Sequence, residues 1–304
     1  MKSNYLFSIA AIGAVCVTLV SCEAGMSQEI NLSVGEETES ASSTKVFHAT
    51  IDDSFSQKPA TRTVISSSSS AEGGYTLSWE VGDEISISEG DHTAIYVTEE
   101  ATNNAKFSKK SGYIRNDASK YLAFYPSNLS PSNQKLPATQ DYVAGNVKNY
   151  PMYAESGDQH LSFKNLCGII RLSVKNTEAE RSIAVKSISV SVDGMGLSGE
   201  FTIDDSYAAV VSGSDGVVLN CATAVPLVQE ASDFNIIIPK GNYNGMKIKI
   251  TSEDGTVVNL VGQSAVTIHR SGITKVNIRL KASDFTNSFE VITFSESDVE
   301  FTER

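Results

Sequence analysis

The stretch Tyr75-Thr76-Leu77-Ser78-Trp79-Glu80-Val81-Gly82-Asp83-Glu84-Ile85-Ser86-Ile87-Ser88 decides the fold class. Apolar residues stand at every second position on both sides of a Gly-Asp pair: Tyr75, Leu77 and Trp79, then Ile85 and Ile87. That alternation turns one face of a strand to a core and the other to solvent, and Gly82-Asp83 is turn chemistry between the runs. The same signals repeat outward. Upstream, Phe47, Ala49 and Ile51 alternate with Val46, His48 and Thr50, followed by a run at 61–65 and a serine loop at 66–70. Downstream, strands are predicted at 94–98 and 121–125, punctuated by Gly90-Asp91 and Pro126. No stretch keeps helical spacing beyond a couple of turns, so the chain is expected to be all-β.

A second set of strands follows the loop Glu155-Ser156-Gly157-Asp158. Leu161, Phe163, Ile169, Ile170, Leu172 and Val174 read as one long strand bent at Gly168. Ile188, Val190 and Val192 share one face of the next, and further runs lie at 217–219, 234–238, 246–250, 257–261, 265–269 and 273–280. Asp215-Gly216 and Asp254-Gly255 are read as hairpin turns. Two sets of short, turn-punctuated strands predict two β-sandwiches in tandem, at 45–157 and 158–281.

The 304 residues carry 24 Lys+Arg against 36 Asp+Glu, a net charge of −12. An acidic chain lacks the basic face that phosphate backbones require, so no nucleic-acid partner is expected. Lys2 is the only charged residue before Cys22, and residues 6–20 are apolar or small. Residues 1–21 therefore read as a secretory leader too short to span a membrane comfortably. It ends in Leu19-Val20-Ser21-Cys22, which resembles a bacterial lipobox. The resemblance implies cleavage between Ser21 and Cys22 and lipidation of Cys22, which would anchor the body to a membrane; a plain leader with an incidental cysteine is the other reading. Residues 22–44, rich in Ser, Glu, Thr and Gly, read as a flexible tether. With Cys16 in the leader and Cys22 under lipid, Cys167 and Cys221 remain, either bridged or buried as small apolar side chains.

In sequence order, Thr61-Arg62-Thr63, Trp79 to Ile85, Tyr121-Leu122-Ala123-Phe124-Tyr125-Pro126, Pro151-Met152-Tyr153-Ala154, Leu161 to Gly168, Leu197-Ser198-Gly199 and Ile238-Pro239-Lys240-Gly241 form a series. Together with the lipobox, it resembles the fimbrillin-like proteins of the Bacteroidales type V pilus family. The resemblance implies two stacked transthyretin-like, Greek-key sandwiches exported as an outer-membrane lipoprotein. It also implies assembly with other fimbrial subunits by protease-triggered strand exchange, in the service of surface adhesion. Strand addition of this kind completes a backbone ladder while alternate side chains fill core pockets. In this chain the removable strand would be Phe47-Ala49-Ile51, and an arginine-specific protease would cut between Arg62 and Thr63. The competing reading keeps Arg62 as a solvent-facing strand residue. Residues 282–304 form a C-terminal extension in which Phe289, Val291, Ile292 and Phe294 are the candidate donor strand. A last strand folding on its own domain is the alternative there.

A second class stands beside the first: a non-polymerising, surface-anchored adhesin or glycan-binding module, since fold does not determine function. Tyr96, Tyr113, Tyr142, Tyr150 and Tyr153 could present rings to a host protein or glycan. An enzyme is not expected. The chain has no His-Glu-x-x-His zinc motif and no phosphate-cradling glycine loop before a helix. Gly196-Leu197-Ser198-Gly199-Glu200 ends in Glu where a nucleophile elbow has Gly. His48, His92, His160 and His269 are widely spaced, and neither Asp52-Asp53 nor Asp204-Asp205 has calcium-loop spacing, so no cofactor or metal is expected.

Overall fold

The computed structural model describes residues 45–52, 77–115, 117–178, 180–213, 215–286 and 291–302. The described chain is all-β apart from two short 3-10 turns near its end. Residues from Ser43 onward form one compact unit, which encloses two apolar cores.

The first core is wrapped by β1 (Val46–Ile51), β2 (Glu84–Glu89), β3 (His92–Thr98), β4 (Asn104–Gly112) and β5 (Tyr121–Tyr125). After two short strands, β6 (Lys135–Leu136) and β7 (Thr139–Asp141), the wrapping is completed by β8 (Met152–Ser156) and β9 (His160–Asn165). In the order β1-β4-β3-β2-β5-β8-β9 this sheet closes on itself as a barrel, β9 pairing with β1. The alternation that predicted strands is visible in burial: Phe47, Ala49 and Ile51 point inward from β1, Leu161 and Phe163 from β9. Trp79 is fully buried at the centre, its ring edge-on to Phe107, Tyr125 and Phe163. Leu77, Ser78 and Trp79 are buried without being a strand, which corrects that part of the strand expected at 75–79; Tyr75 and Thr76, like the run expected at 61–65, lie outside the described residues. β4 escaped sequence reading because only Ala105 and Phe107 are apolar in a strand that otherwise exposes lysine, serine and asparagine.

The second core lies between two sheets. The strands that follow the barrel are β10 (Gly168–Asn176) and β11 (Ile183–Ser191), next β12 (Gly199–Ile203) and β13 (Ala209–Val211), these two forming with β6 a small sheet packed on the first core, then β14 (Val217–Leu227), β15 (Ser232–Ile238) and β16 (Gly241–Tyr243). They continue with β17 (Lys247–Ser252), β18 (Val257–Gly262), β19 (Val266–Ile268), β20 (Ile273–Leu280), β21 (Val291–Phe294) and β22 (Val299–Thr302). A four-stranded sheet β15-β10-β20-β22 faces a six-stranded sheet β21-β18-β17-β11-β14-β7, a β-sandwich.

The long strand expected from Leu161 to Val174 is two strands, and the reason is a change of face. Odd positions 161 and 163 fill the first core, whereas even positions 170, 172 and 174 fill the second. A continuous strand cannot reassign its parity. The switch occurs at Leu166-Cys167-Gly168, where a Cβ on Gly168 would lie 2.3 Å from the His269 carbonyl oxygen. Four hydrogen bonds hold the backbone of this crossover. Leu166 N–H donates to Pro151 O, Ala209 N–H donates to Leu166 O, and Ser271 N–H and the Tyr150 hydroxyl both donate to Cys167 O. A division at 157/158 would cut between β8 and β9, which both belong to the barrel.

The two Asp-Gly pairs have different uses. Asp254-Gly255 turns β17 into β18 with Gly255 at φ 87°. Gly216 has no positive φ; a Cβ there would meet Val190 O at 2.6 Å, so this glycine answers close backbone approach rather than turn geometry.

Candidate functional site

β1 is the strand on which the barrel's closure depends. It runs antiparallel to β4, Val46 opposite Ser108 through Thr50 opposite Asn104. It runs parallel to β9, His48 opposite His160 through Ile51 opposite Phe163. Among the described residues this is the one parallel seam in the barrel. Phe47 is held edge-on by Tyr96 and Tyr121 at centroid distances of 5.0 and 5.1 Å. Ala49 occupies the middle place, where the Trp79 indole N–H donates to Ala49 O at 2.8 Å. The inward pattern is therefore large, small, large. Burial of Phe47 and Ile51 side chains contributes about 1.5–3 kcal/mol each.

Both ends of β1 are tied to the barrel. The Lys45 ammonium hydrogen-bonds the Tyr121 hydroxyl and sits 4.5 Å from that ring's centroid. At the other end Asp52 N–H donates to Phe163 O at 2.8 Å, and the Asp52 carboxylate pairs with Lys164 at 3.1 Å. Without β1, the facing N–H and C=O groups of β4 and β9 would lose their partners and the apolar pockets would open to water. Some polar groups stay orphaned even with β1 present, among them the Tyr96 hydroxyl and Ser78 Oγ, which are buried without a hydrogen-bond partner. Desolvation pushes the Tyr96 phenol up to about 12.

The C-terminal extension lies on its own sandwich. β21 adds parallel to β18, Val291 opposite Asn259 through Phe294 opposite Gly262. β22 adds antiparallel to β20, Val299 opposite Val276 through Thr302 opposite Ile273. The tail thus caps one edge of each facing sheet. Of the candidate donor residues, Val291 is 55% exposed, Ile292 packs partly on the second core and Phe294 is buried in it. Phe289 lies outside the described residues, as do Ser21 and Cys22 at the lipobox and Arg62 and Thr63 at the candidate processing site.

Cys167 and Cys221 are both free and buried, Cys167 in the first core and Cys221 in the second. Burial raises both thiols, Cys221 to about 11 and Cys167 further, so neither is a thiolate at neutral pH. Among the described residues no group of three or more His, Cys, Asp or Glu is placed to hold a metal ion, and no helix is long and apolar enough to cross a membrane. His48 and His160, far apart in sequence, stack with centroids 5.8 Å apart across the β1–β9 seam. Only the parallel register brings them together.

No protein-family model and no curated protein matches the chain. Among solved structures it is similar to two proteins provisionally described as cell adhesion proteins. One is from Bacteroides uniformis, with 16% identity, coverage of 87% of this chain and 97% of that one, and a TM-score of 0.43. The other is from Bacteroides ovatus, with 13% identity, coverage of 70% and 88%, and a TM-score of 0.44. It is also similar to the C-terminally truncated tip fimbrial protein Mfa3 from Porphyromonas gingivalis, with 8% identity, coverage of 84% and 98%, and a TM-score of 0.35.

Proposed function

We propose that this chain is a fimbrial subunit, exported as a lipoprotein through Cys22 and assembled on the cell surface by exchange of β1 for a strand of a neighbouring subunit. The observation that carries the reading is β1 itself. It fills the barrel with Phe47, Ala49 and Ile51, pairs with β4 on one side and β9 on the other, and precedes Arg62 in the sequence. A cut between Arg62 and Thr63 would leave β1 held by hydrogen bonds and packing alone, replaceable by any extended segment with the same alternation. The tail supports the donor role because β21 and β22 are terminal edge strands, joined to one sheet neighbour each. Edge strands detach without opening the interior of a sheet. The two cores are proposed to correspond to two domains of such a subunit, with the outer membrane and other fimbrial subunits as partners.

The test starts from the chain beginning at Glu23. Brief digestion with an arginine-specific protease, mass spectrometry of the new N-terminus and electron microscopy are expected to give a cut after Arg62 followed by filaments. A chain that resists cleavage and stays monomeric would overturn the reading in favour of a non-polymerising surface adhesin.

A further inference from the structure

The β12–β13 hairpin belongs to the second half of the chain, yet its tip reaches the barrel. Phe201 and Ala209 pack in the first core, and Ala209 N–H donates to Leu166 O. At the tip stands Tyr207, a bulky non-glycine residue at φ 59°. Left-handed backbone is costly for such a residue and persists only where the surroundings enforce it. Here the Asp204 carboxylate enforces it, accepting from Ser206 N–H, the Ser206 hydroxyl and Ala208 N–H at 2.7–2.8 Å, while Tyr207 N–H donates to Asp204 O. A strained turn is thus built to hold out a tyrosine that remains 39% exposed.

A second ring meets it. Tyr153 on β8 lies 6.4 Å from Tyr207, centroid to centroid, with the planes 32° apart. Tyr153 is backed by Phe124 at 5.1 Å, and its hydroxyl donates to Glu155 at 2.9 Å, so its orientation is set in advance. Between barrel and hairpin lies an open groove of about 540 Å³, lined by the two tyrosines with Leu122, Gln134, Thr202 and Asp205. That volume is within the range of small-molecule sites.

We propose that the Tyr153–Tyr207 groove binds a neutral pyranoside, its C–H face on the tyrosine rings and its hydroxyls on Asp205 and Gln134. Rigid aromatic rings beside carboxylate and amide groups match a ligand with one apolar face and a polar rim. A cationic ligand fits less well, because the cation place on Tyr207 is taken: the Lys164 ammonium lies 4.9 Å from that ring's centroid. The neighbouring carboxylates Asp204 and Glu155 already face Lys240 and Lys120 at 3.5 and 2.7 Å. This inference does not depend on strand exchange, which filament formation reads separately.

The experiment is saturation-transfer NMR on the chain from Glu23 with the methyl glycosides of glucose, galactose, mannose and N-acetylglucosamine. Transfer to the ring C–H protons of at least one glycoside is expected. Tyr207→Asn tolerates the left-handed backbone and is expected to weaken binding about tenfold, the worth of one aromatic contact. Asp205→Ala, an exposed position, is expected to weaken it with melting unchanged; it also serves as the deciding variant if Tyr207→Asn does not fold. Absence of transfer from all four glycosides, binding unaltered in the folded variants, or binding of tetramethylammonium in place of the glycosides would each overturn the proposal.

Discussion

Tyr96 shows how a single buried atom bears on stability. Its ring supports Phe47, but its hydroxyl is orphaned in the first core. An unsatisfied buried donor costs about 1–3 kcal/mol, and removing it while keeping the ring recovers part of that cost. Tyr96→Phe is therefore expected to raise stability by about 1 kcal/mol, measured by urea denaturation; a destabilised variant would show that the hydroxyl has a partner. Asp204 is the opposite case, a carboxylate with three donors. The Ser206 hydroxyl first, then Ala208 N–H, lowers its pKa from 3.8 to about 2. A carboxylate depressed in the folded state stabilises the fold above its unfolded value and loses that contribution as protons bind. The Tyr207 turn should thus be intact above about pH 4 and loosen as pH falls through about 2. The Ala208 amide shift followed by NMR should report that midpoint, and a midpoint near 4 would refute the account.

At the scale of elements, β1 and the β21–β22 tail stand in contrast. β1 has a neighbour on each side and three inward side chains; the tail strands have one sheet neighbour each. Deleting residues 291–304 removes Phe294 from the second core and should lower the melting temperature while leaving a folded monomer. That monomer is expected to form no filaments after Arg62 cleavage; filaments without the tail would remove it as donor. Deleting residues 1–52 is expected to be more damaging, since it opens the barrel along β4 and β9. A synthetic peptide covering residues 45–52 should restore a cooperative melt, whereas Ala49→Phe in that peptide should not, because the large ring has no place beneath Trp79.

At the scale of the whole molecule, the two cores are stitched by exchange of short segments. β6 pairs with β12, and β7 joins the second sandwich parallel to β14. Gln140 of β7 acts as a surrogate strand residue: its side-chain amide donates to Ile237 O at 2.7 Å and accepts from Ile237 N–H at 2.9 Å. In return, Phe201 and Ala209 enter the first core. Such interlocking predicts one unfolding transition for both cores. Gln140→Ala leaves both Ile237 groups without that partner and is expected to cost about 1–3 kcal/mol, with calorimetry showing a lowered or split transition. An unchanged single transition would mean that the stitch adds nothing.

By itself the sequence determined the all-β class and most strand positions, because alternation and turn residues are local signals that survive without knowledge of partners. It also marked Phe47, Ala49 and Ile51 as one buried face. Tertiary structure alone decided the rest. β4 and β7 are too polar to announce themselves and become strands through their neighbours' backbones. The parity switch at Gly168 depends on which core each face meets, and the parallel β1–β9 seam, the His48–His160 stack and the meeting of Tyr153 with Tyr207 depend on register between distant segments. Pairing across such distances is a property of the packed chain, where backbone groups and apolar faces must be satisfied together, and no local pattern encodes it.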